Sequence, residues 1–127
     1  MEITPLIPEG RQVIESYGDG RFRVSGVAIE GSLLILPMAT FPWSVVDVAG
    51  ATLDSLSPIL TADPPVEILL VGCGKRLVPL APALKSALRE RGIGADPMDT
   101  GAACRTYNVL ASEGRSVVAA LLLTPSP

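Results

Sequence analysis

At positions 71–76 the chain reads Val-Gly-Cys-Gly-Lys-Arg, directly after the apolar run that begins at Glu67 and before a helix-like stretch that begins at Leu77. Gly72 and Gly74 allow close approach to the backbone, and Lys75 and Arg76 add positive charge, so the stretch has the ingredients of an anion or phosphate cradle. The phosphate loops with a known mechanism are stricter. A dinucleotide fingerprint requires Gly-x-Gly-x-x-Gly, and its third glycine position is here Leu77; a P-loop has four residues between its glycines and then Lys-Ser/Thr. The plain alternative is a tight turn carrying two solvated basic residues.

Cys73 could serve as a nucleophile or redox thiol, because neighbouring cations and helix N-terminal N–H groups lower a thiol pKa. The chain contains no histidine, which removes the Ser-His-Asp and Cys-His arrangements, the commonest zinc ligand sets and the usual proton shuttle at neutral pH. A packed structural thiol is the simpler fate, since free cysteine is among the most buried residue types. A disulfide between Cys73 and Cys104 would need Cα atoms within about 7 Å, which sequence does not establish. Asp96 and Asp99 are candidates for acid/base or metal work, but a strand sends i and i+3 to opposite faces and no third ligand accompanies them. Capping and turn roles suit them better, and neither a metal site nor a cofactor is expected.

The elements that must hold these residues change character along the chain. Val13, Glu15 and Tyr17 alternate with Ile14 and Ser16, Gly18-Asp19-Gly20 supplies a turn, and Phe22, Val24, Gly26 and Ala28 continue the two-residue period. Glu30-Gly31-Ser32 then offers a second turn before the strand LLILP, giving three antiparallel strands. A loop interrupted by Pro37 and Pro42 leads to a short strand at Ser44 to Val48, and Thr52 with Ser55, then Ser57-Pro58, mark helix starts. From Val66 the pattern becomes strand, helix, strand, helix, strand with short links. Leu80, Leu84, Ala87 and Leu88 form the stripe of the first helix, with Pro79 or Pro82 in its first turn and Gly92 beyond its end. Ala103, Tyr107, Leu110 and Ala111 form the stripe of the second, capped by Asp99 or Thr100 and stopped at Gly114.

The expected architecture is three-layer α/β: a central mixed β-sheet, mostly parallel in its C-terminal βαβαβ part, with an N-terminal antiparallel β-hairpin or meander. Ligands in such sheets bind beyond the carboxyl ends of the strands. If the strands ending at Val71 and Asp99 are neighbours, Gly72, Cys73, Gly74, Lys75, Arg76, Asp99, Thr100, Gly101, Cys104 and Arg105 converge there, with Gly72, Cys73, Gly74, Lys75, Arg76, Thr100 and Arg105 as one candidate ligand or anion site. A second kind of surface is offered by Phe41 and Trp43 around Pro42, because aromatic side chains dominate interaction hot spots, and by Asn108, which shares a helix face with Arg105. The core is the commoner place for large apolar side chains.

A chain of 127 residues, 48% apolar and 18% charged, fits a single folded domain over 1–127. Its net charge of −3 argues against nucleic acid as a partner. The N-terminus lacks the apolar core of a signal peptide, the apolar runs fall short of the roughly 20 residues that span a bilayer, and two cysteines suit a reducing compartment. A cytoplasmic protein is the expectation.

The segments GSLLILP, FPW, EILLVGCGKR and MDTGAACRTYNVLASEGRSVVAALLL, with the N-terminal hairpin, span nearly the whole chain. In this order they resemble a small domain-of-unknown-function family that contains bacterial and archaeal stand-alone proteins and the mitochondrial NADH dehydrogenase (complex I) assembly factor. Gly72, Gly74, Thr100, Ala103, Tyr107, Asn108 and Leu110 fall on its pattern. The resemblance implies the three-layer fold and a non-enzymatic accessory or interaction protein that assists respiratory complex I assembly, with respiratory-chain subunits or assembly proteins as partners. It implies no catalytic residues, and no mitochondrial targeting extension is expected at this N-terminus. Membrane association would then be peripheral, through a partner. The alternative is a small-molecule or anion-binding protein, in one version a thiol-dependent enzyme, with its site at the loops around Cys73 and Thr100.

Overall fold

Five strands form the central sheet of the computed structural model, which describes residues 10–18 and 20–123. Three strands come first, β1 (Ile14–Gly18), β2 (Arg21–Val24) and β3 (Val27–Glu30), followed by β4 (Leu33–Ile35), β5 (Thr40–Pro42) and the short helix α1 (Ser57–Leu60). The C-terminal half then runs β6 (Ile68–Gly72), α2 (Pro82–Glu90), β7 (Gly94–Met98), α3 (Thr100–Ser112) and β8 (Val117–Leu121). The central sheet has the order β5-β4-β8-β6-β7; β6 is parallel to both β7 and β8, whereas β4 is antiparallel to β8 and β5. This is the expected mixed sheet with a parallel βαβαβ part.

The N-terminal strands form a separate antiparallel sheet in the order β1-β2-β3. Two details differ from the sequence reading. The expected single strand from Phe22 to Ala28 is a hairpin, because Ser25 and Gly26 both take positive φ, +46° and +87°, and close a two-residue turn of the kind that matches strand twist. LLILP consequently leaves the meander and joins the central sheet beside β8. The expected turn at Gly18-Asp19-Gly20 includes Asp19, which lies outside the described residues.

The second difference is a bulge. Ile14 pairs with Val24 but Ser16 pairs with Arg23, so the register shifts at Glu15 and regular alternation is broken. Tyr17 pairs with Phe22, and directly paired residues share a face. Tyr17 and Ile14, three residues apart, therefore point the same way, toward α3, where an unbroken strand would have separated them.

Side chains of the central sheet alternate between two apolar clusters. Leu34, Leu69, Val71, Val118 and Ala120 face one cluster with Leu80, Leu84 and Leu88 from α2 and the stretch before it, together with Leu56, Ile59 and Trp43. Leu33, Ile35, Leu70, Val117, Ala119 and Leu121 face the other, with Ala103, Cys104 and Tyr107 of α3 and Ile14, Phe22 and Val24 of the meander. A sheet buried on both faces needs apolar residues at every position, and all five residues of β8 are buried. Each fully buried leucine or valine here contributes about 1.5–3 kcal/mol relative to exposure.

Both edges of the central sheet carry proline, Pro42 in β5 and Pro97 in β7, whose missing N–H blocks addition of another strand. The expected strand from Ser44 to Val48 is absent: the Asp47 carboxylate accepts from the Gly50 N–H at 3.0 Å and caps a 3-10 turn at Val48–Gly50. That side-chain bond offers the backbone an alternative to pairing. The Thr52/Ser55 start is reciprocal, with the Thr52 N–H donating to Ser55 Oγ and the Ser55 N–H to Thr52 Oγ1. Pro82 opens α2, and Asp99 caps α3 by accepting from the Ala102 N–H at 2.9 Å.

Candidate functional site

The chain moves from β6 outward to β7 through α2, then returns past β6 to β8 through α3, and the two helices lie on opposite faces. Travel across the sheet therefore reverses around β6, and the carboxyl end of β6, Gly72 to Gly74, is where such folds open a crevice. In this protein Thr100 occupies that place. It is 0% exposed, its Oγ1 accepts from the Gly74 N–H at 2.8 Å and donates to the Leu122 carbonyl at 2.8 Å, and its own N–H donates to the Gly74 carbonyl at 2.8 Å. The Cys73 N–H donates to the Met98 carbonyl. Two amides that an anion cradle would turn outward are thus spent on tying β6, α3 and β8 together.

The glycines serve that closure. A Cβ on Gly72 would lie 3.0 Å from Leu121 Cδ2, from Thr100 Cα and from Thr100 Oγ1, so only glycine lets α3 begin this close to β6. Gly74 adopts φ +96°, the left-handed turn that lets its N–H and carbonyl both reach Thr100.

The two thiols part company. Cys73 is half-buried against the α2-side cluster, and its Sγ donates to the Val78 carbonyl at 3.4 Å. Cys104 is buried in the α3-side cluster. Both are free. Burial, with a smaller push from Asp99 and against the pull of Arg105, drives the Cys104 thiol up to about 12, so it stays protonated at neutral pH. Lys75 and Arg76 are exposed in the loop between β6 and α2. Among the described residues, no group of histidine, cysteine or carboxylate side chains could hold a metal ion.

Arg105 and Asn108 face the meander. Arg105 Nη1 donates to Tyr17 Oη at 2.7 Å. Asn108 grips β1 from both sides of one residue, accepting from the Ile14 N–H at 3.0 Å and donating to the Ile14 carbonyl at 2.7 Å. Tyr107 Oη donates toward the carbonyls of Gln12 and Leu36, at 3.1 and 3.3 Å, and burial raises its pKa. Of the residues considered for a contact surface, Phe41 is partly exposed, Trp43 is only 5% exposed within the core, and Asn108 is committed to β1. The Trp43 Nε1 atom is buried without a hydrogen-bond partner.

An opening lies at the other end of the sheet. A groove of about 900 Å³ runs between the turn after β4, the segment joining α1 to β6, and the link from α3 to β8. Its floor and walls are mainly apolar, among them Leu36, Met38, Phe41 and Val66, with Arg11, Arg115 and Asp63 also lining it. Met38 is 56% exposed. None of Gly72, Cys73, Lys75, Thr100 or Arg105 lines it.

Residues 14–122 match the family described as "Protein of unknown function (DUF498/DUF598)". The chain belongs to the DUF498 family. An uncharacterized protein of Rhodobacter capsulatus is 40% identical to this DUF498 protein over 116 residues, covering 91% of this chain and 88% of that one. NADH dehydrogenase (ubiquinone) 1 alpha subcomplex assembly factor 3 of Bos taurus is 38% identical over 112 residues, covering 88% of this chain and 61% of the relative's length. A crystal structure of a Bartonella henselae protein, described as an outer membrane protein, superposes with a TM-score of 0.85 at 35% identity, covering 93% of this chain and 99% of that one. In this DUF498 member no helix among the described residues is long and apolar enough to cross a membrane.

Sequence reasoning placed Gly101 at the carboxyl edge of the sheet but overlooked Tyr17 as its neighbour, and it overlooked the groove. A Cβ on Gly101 would lie 2.7 Å from Tyr17 Oη, so that glycine makes room for the tyrosine at the start of α3. That neighbour was hidden by the bulge at Glu15, which turns Tyr17 toward α3. The groove unites Arg11, Met38 and Arg115, which stand far apart in the chain and carry no shared local pattern.

Proposed function

We propose that this DUF498 protein is a non-enzymatic accessory protein that assists assembly of a respiratory NADH dehydrogenase (complex I), acting at the membrane periphery through a partner. The observation that carries the reading is the 38% identity to the Bos taurus assembly factor across 88% of this chain. The geometry supports binding over catalysis: the carboxyl edge of the sheet is filled by Thr100, and the Cys73 Sγ is turned to the Val78 carbonyl against the α2-side cluster. The surface available to a partner is the apolar groove beside Phe41 and Met38.

The test is a deletion of the gene in its own organism, with the membranes resolved by native electrophoresis. Full-size NADH dehydrogenase complex is expected to fall and its subcomplexes to accumulate, both reversed by the chain supplied in trans. An unchanged amount of complete complex in the deletion strain overturns the proposal.

A further inference from the structure

We propose that the groove between the turn after β4 and the link from α3 to β8 receives an extended, apolar segment of a partner protein that carries at least two carboxylates. The proposal deepens the accessory-protein reading and rests on it for the existence of a partner. Three features define the occupant. The first is the apolar lining: Met38 stands 56% exposed beside Phe41, and methionine adapts its unbranched chain to whatever packs on it. Leaving such a surface wet forgoes the burial that a partner's side chains would supply.

Second, Pro37, Pro58 and Pro64 line the groove. Proline has no N–H, so these positions offer no backbone donors to an incoming strand, and β5 already ends in Pro42. Addition of a strand to the sheet is therefore disfavoured, and recognition falls to side chains.

Third, the cations are unmatched. Arg11 and Arg115 enter the groove from opposite ends of the chain, and neither is ion-paired with another described residue; the ion pairs among the described residues join Arg21 to Glu30 and Arg23 to Glu15. Asp63 is the single carboxylate among the described lining residues. In a protein of net charge −3 this leaves a local excess of arginine, the side chain best shaped for bidentate carboxylate recognition. Asp63 pairs with neither arginine, so a fatty acid, with one carboxylate, meets only one of them, whereas a peptide segment with two acidic residues meets both.

The test uses the full chain in its own cells with the photo-cross-linker p-benzoylphenylalanine in place of Met38, and at Arg89 on the exposed side of α2 as a control. The expected result is a Met38 adduct absent at Arg89, mapping to an apolar segment with two or more Asp or Glu residues. The double reversal Arg11→Glu/Arg115→Glu should cut that adduct about tenfold or more, because like charges across an interface are strongly disfavoured. The double variant Arg11→Lys/Arg115→Lys should retain most of it, and matching thermal melts of both would show the fold intact. The inference is overturned by no adduct above the Arg89 control, or by an adduct that survives charge reversal. It is equally overturned if the cross-linked species is a lipid, a second copy of the chain or the chain's own residues 1–9. An acidic, apolar segment from a protein outside the respiratory chain would uphold the groove and sink the assembly reading. Loss of complex I in the deletion strain without a Met38 adduct would do the reverse.

Discussion

Thr100→Val is the sharpest single test of how the carboxyl edge is built. Valine keeps the shape of threonine and removes only the hydroxyl, which accepts from the Gly74 N–H and donates to the Leu122 carbonyl at a site with 0% exposure. Leaving the buried Gly74 N–H without an acceptor costs about 1–3 kcal/mol, and the Leu122 carbonyl adds about 1 kcal/mol, for a loss of about 3 kcal/mol. At roughly 4 °C per kcal/mol for a chain of this size, Tm should fall by about 12 °C. Thr100→Ser keeps both hydrogen bonds and loses one buried methyl, about 1 kcal/mol. Urea unfolding followed by circular dichroism, with thermal melts in parallel, gives both numbers. The knot between β6, α3 and β8 is wrong if Thr100→Val changes stability by less than about 0.5 kcal/mol, or if Thr100→Ser is as damaging as Thr100→Val.

Gly101→Ala should displace Tyr17 from α3 and destabilise by about 1 kcal/mol, while Gly101→Ala with Tyr17→Ser should recover that loss through the better helix propensity of alanine. Urea midpoints of the two variants decide this, and equal values would refute it. Mild air oxidation should yield no intramolecular disulfide, because Cys73 and Cys104 belong to clusters on opposite faces of the sheet; native-state alkylation read by mass spectrometry should modify Cys73 far faster than Cys104. Stability should also fall at alkaline pH. Folding raises the Cys104 pKa from an ordinary 9.0 to about 12, so its contribution is complete below 9 and declines above it, as the unfolded chain releases a proton the folded chain keeps. The slope is about 1.4 kcal/mol per pH unit, with Tyr107 adding to it above its own ordinary value of 10.0. Urea titrations from pH 8 to 10.5 should show the decline, and Cys104→Ala should flatten it between 9 and 10.

Much of the fold was legible because its signals are local. The α2 stripe at Leu80, Leu84 and Leu88, the proline at its start and Gly92 at φ +81° beyond its end all lie within one short window. The continuous apolar run of β8 likewise announced a strand, and the structure buries all five of its residues. The meander was less legible, because a bulge at Glu15 and a Ser25-Gly26 turn depend on pairing between strands, and the periodicity of one strand carries no record of its partner's register. For the same reason the sequence put Cys73, Thr100 and Arg105 at one edge without separating their directions. Cys73 turns toward α2, Thr100 is enclosed between β6 and β8, and Arg105 reaches the meander through Tyr17.

Several residues that carried the resemblance have structural work that accounts for them. Gly72 admits the start of α3, Gly74 turns to meet Thr100, and Tyr107 and Asn108 hold the approach to β1. Such residues specify how α3 docks between sheet and meander and say nothing of a function. The docking has a consequence at the opposite end, because the link from α3 to β8 contributes Arg115 to the groove and the residues held by Tyr107 lead to Leu36 and Arg11. Thr100 and Asn108 therefore act on the groove indirectly, by fixing the helix whose far end forms one wall. Substitutions at Thr100 should weaken partner binding only as far as they loosen the fold, whereas reversal of Arg11 and Arg115 should cut binding about tenfold or more with stability unchanged. A Thr100→Val protein that kept its stability yet lost its partner would place the partner at the carboxyl edge, against the division of labour argued for these two ends.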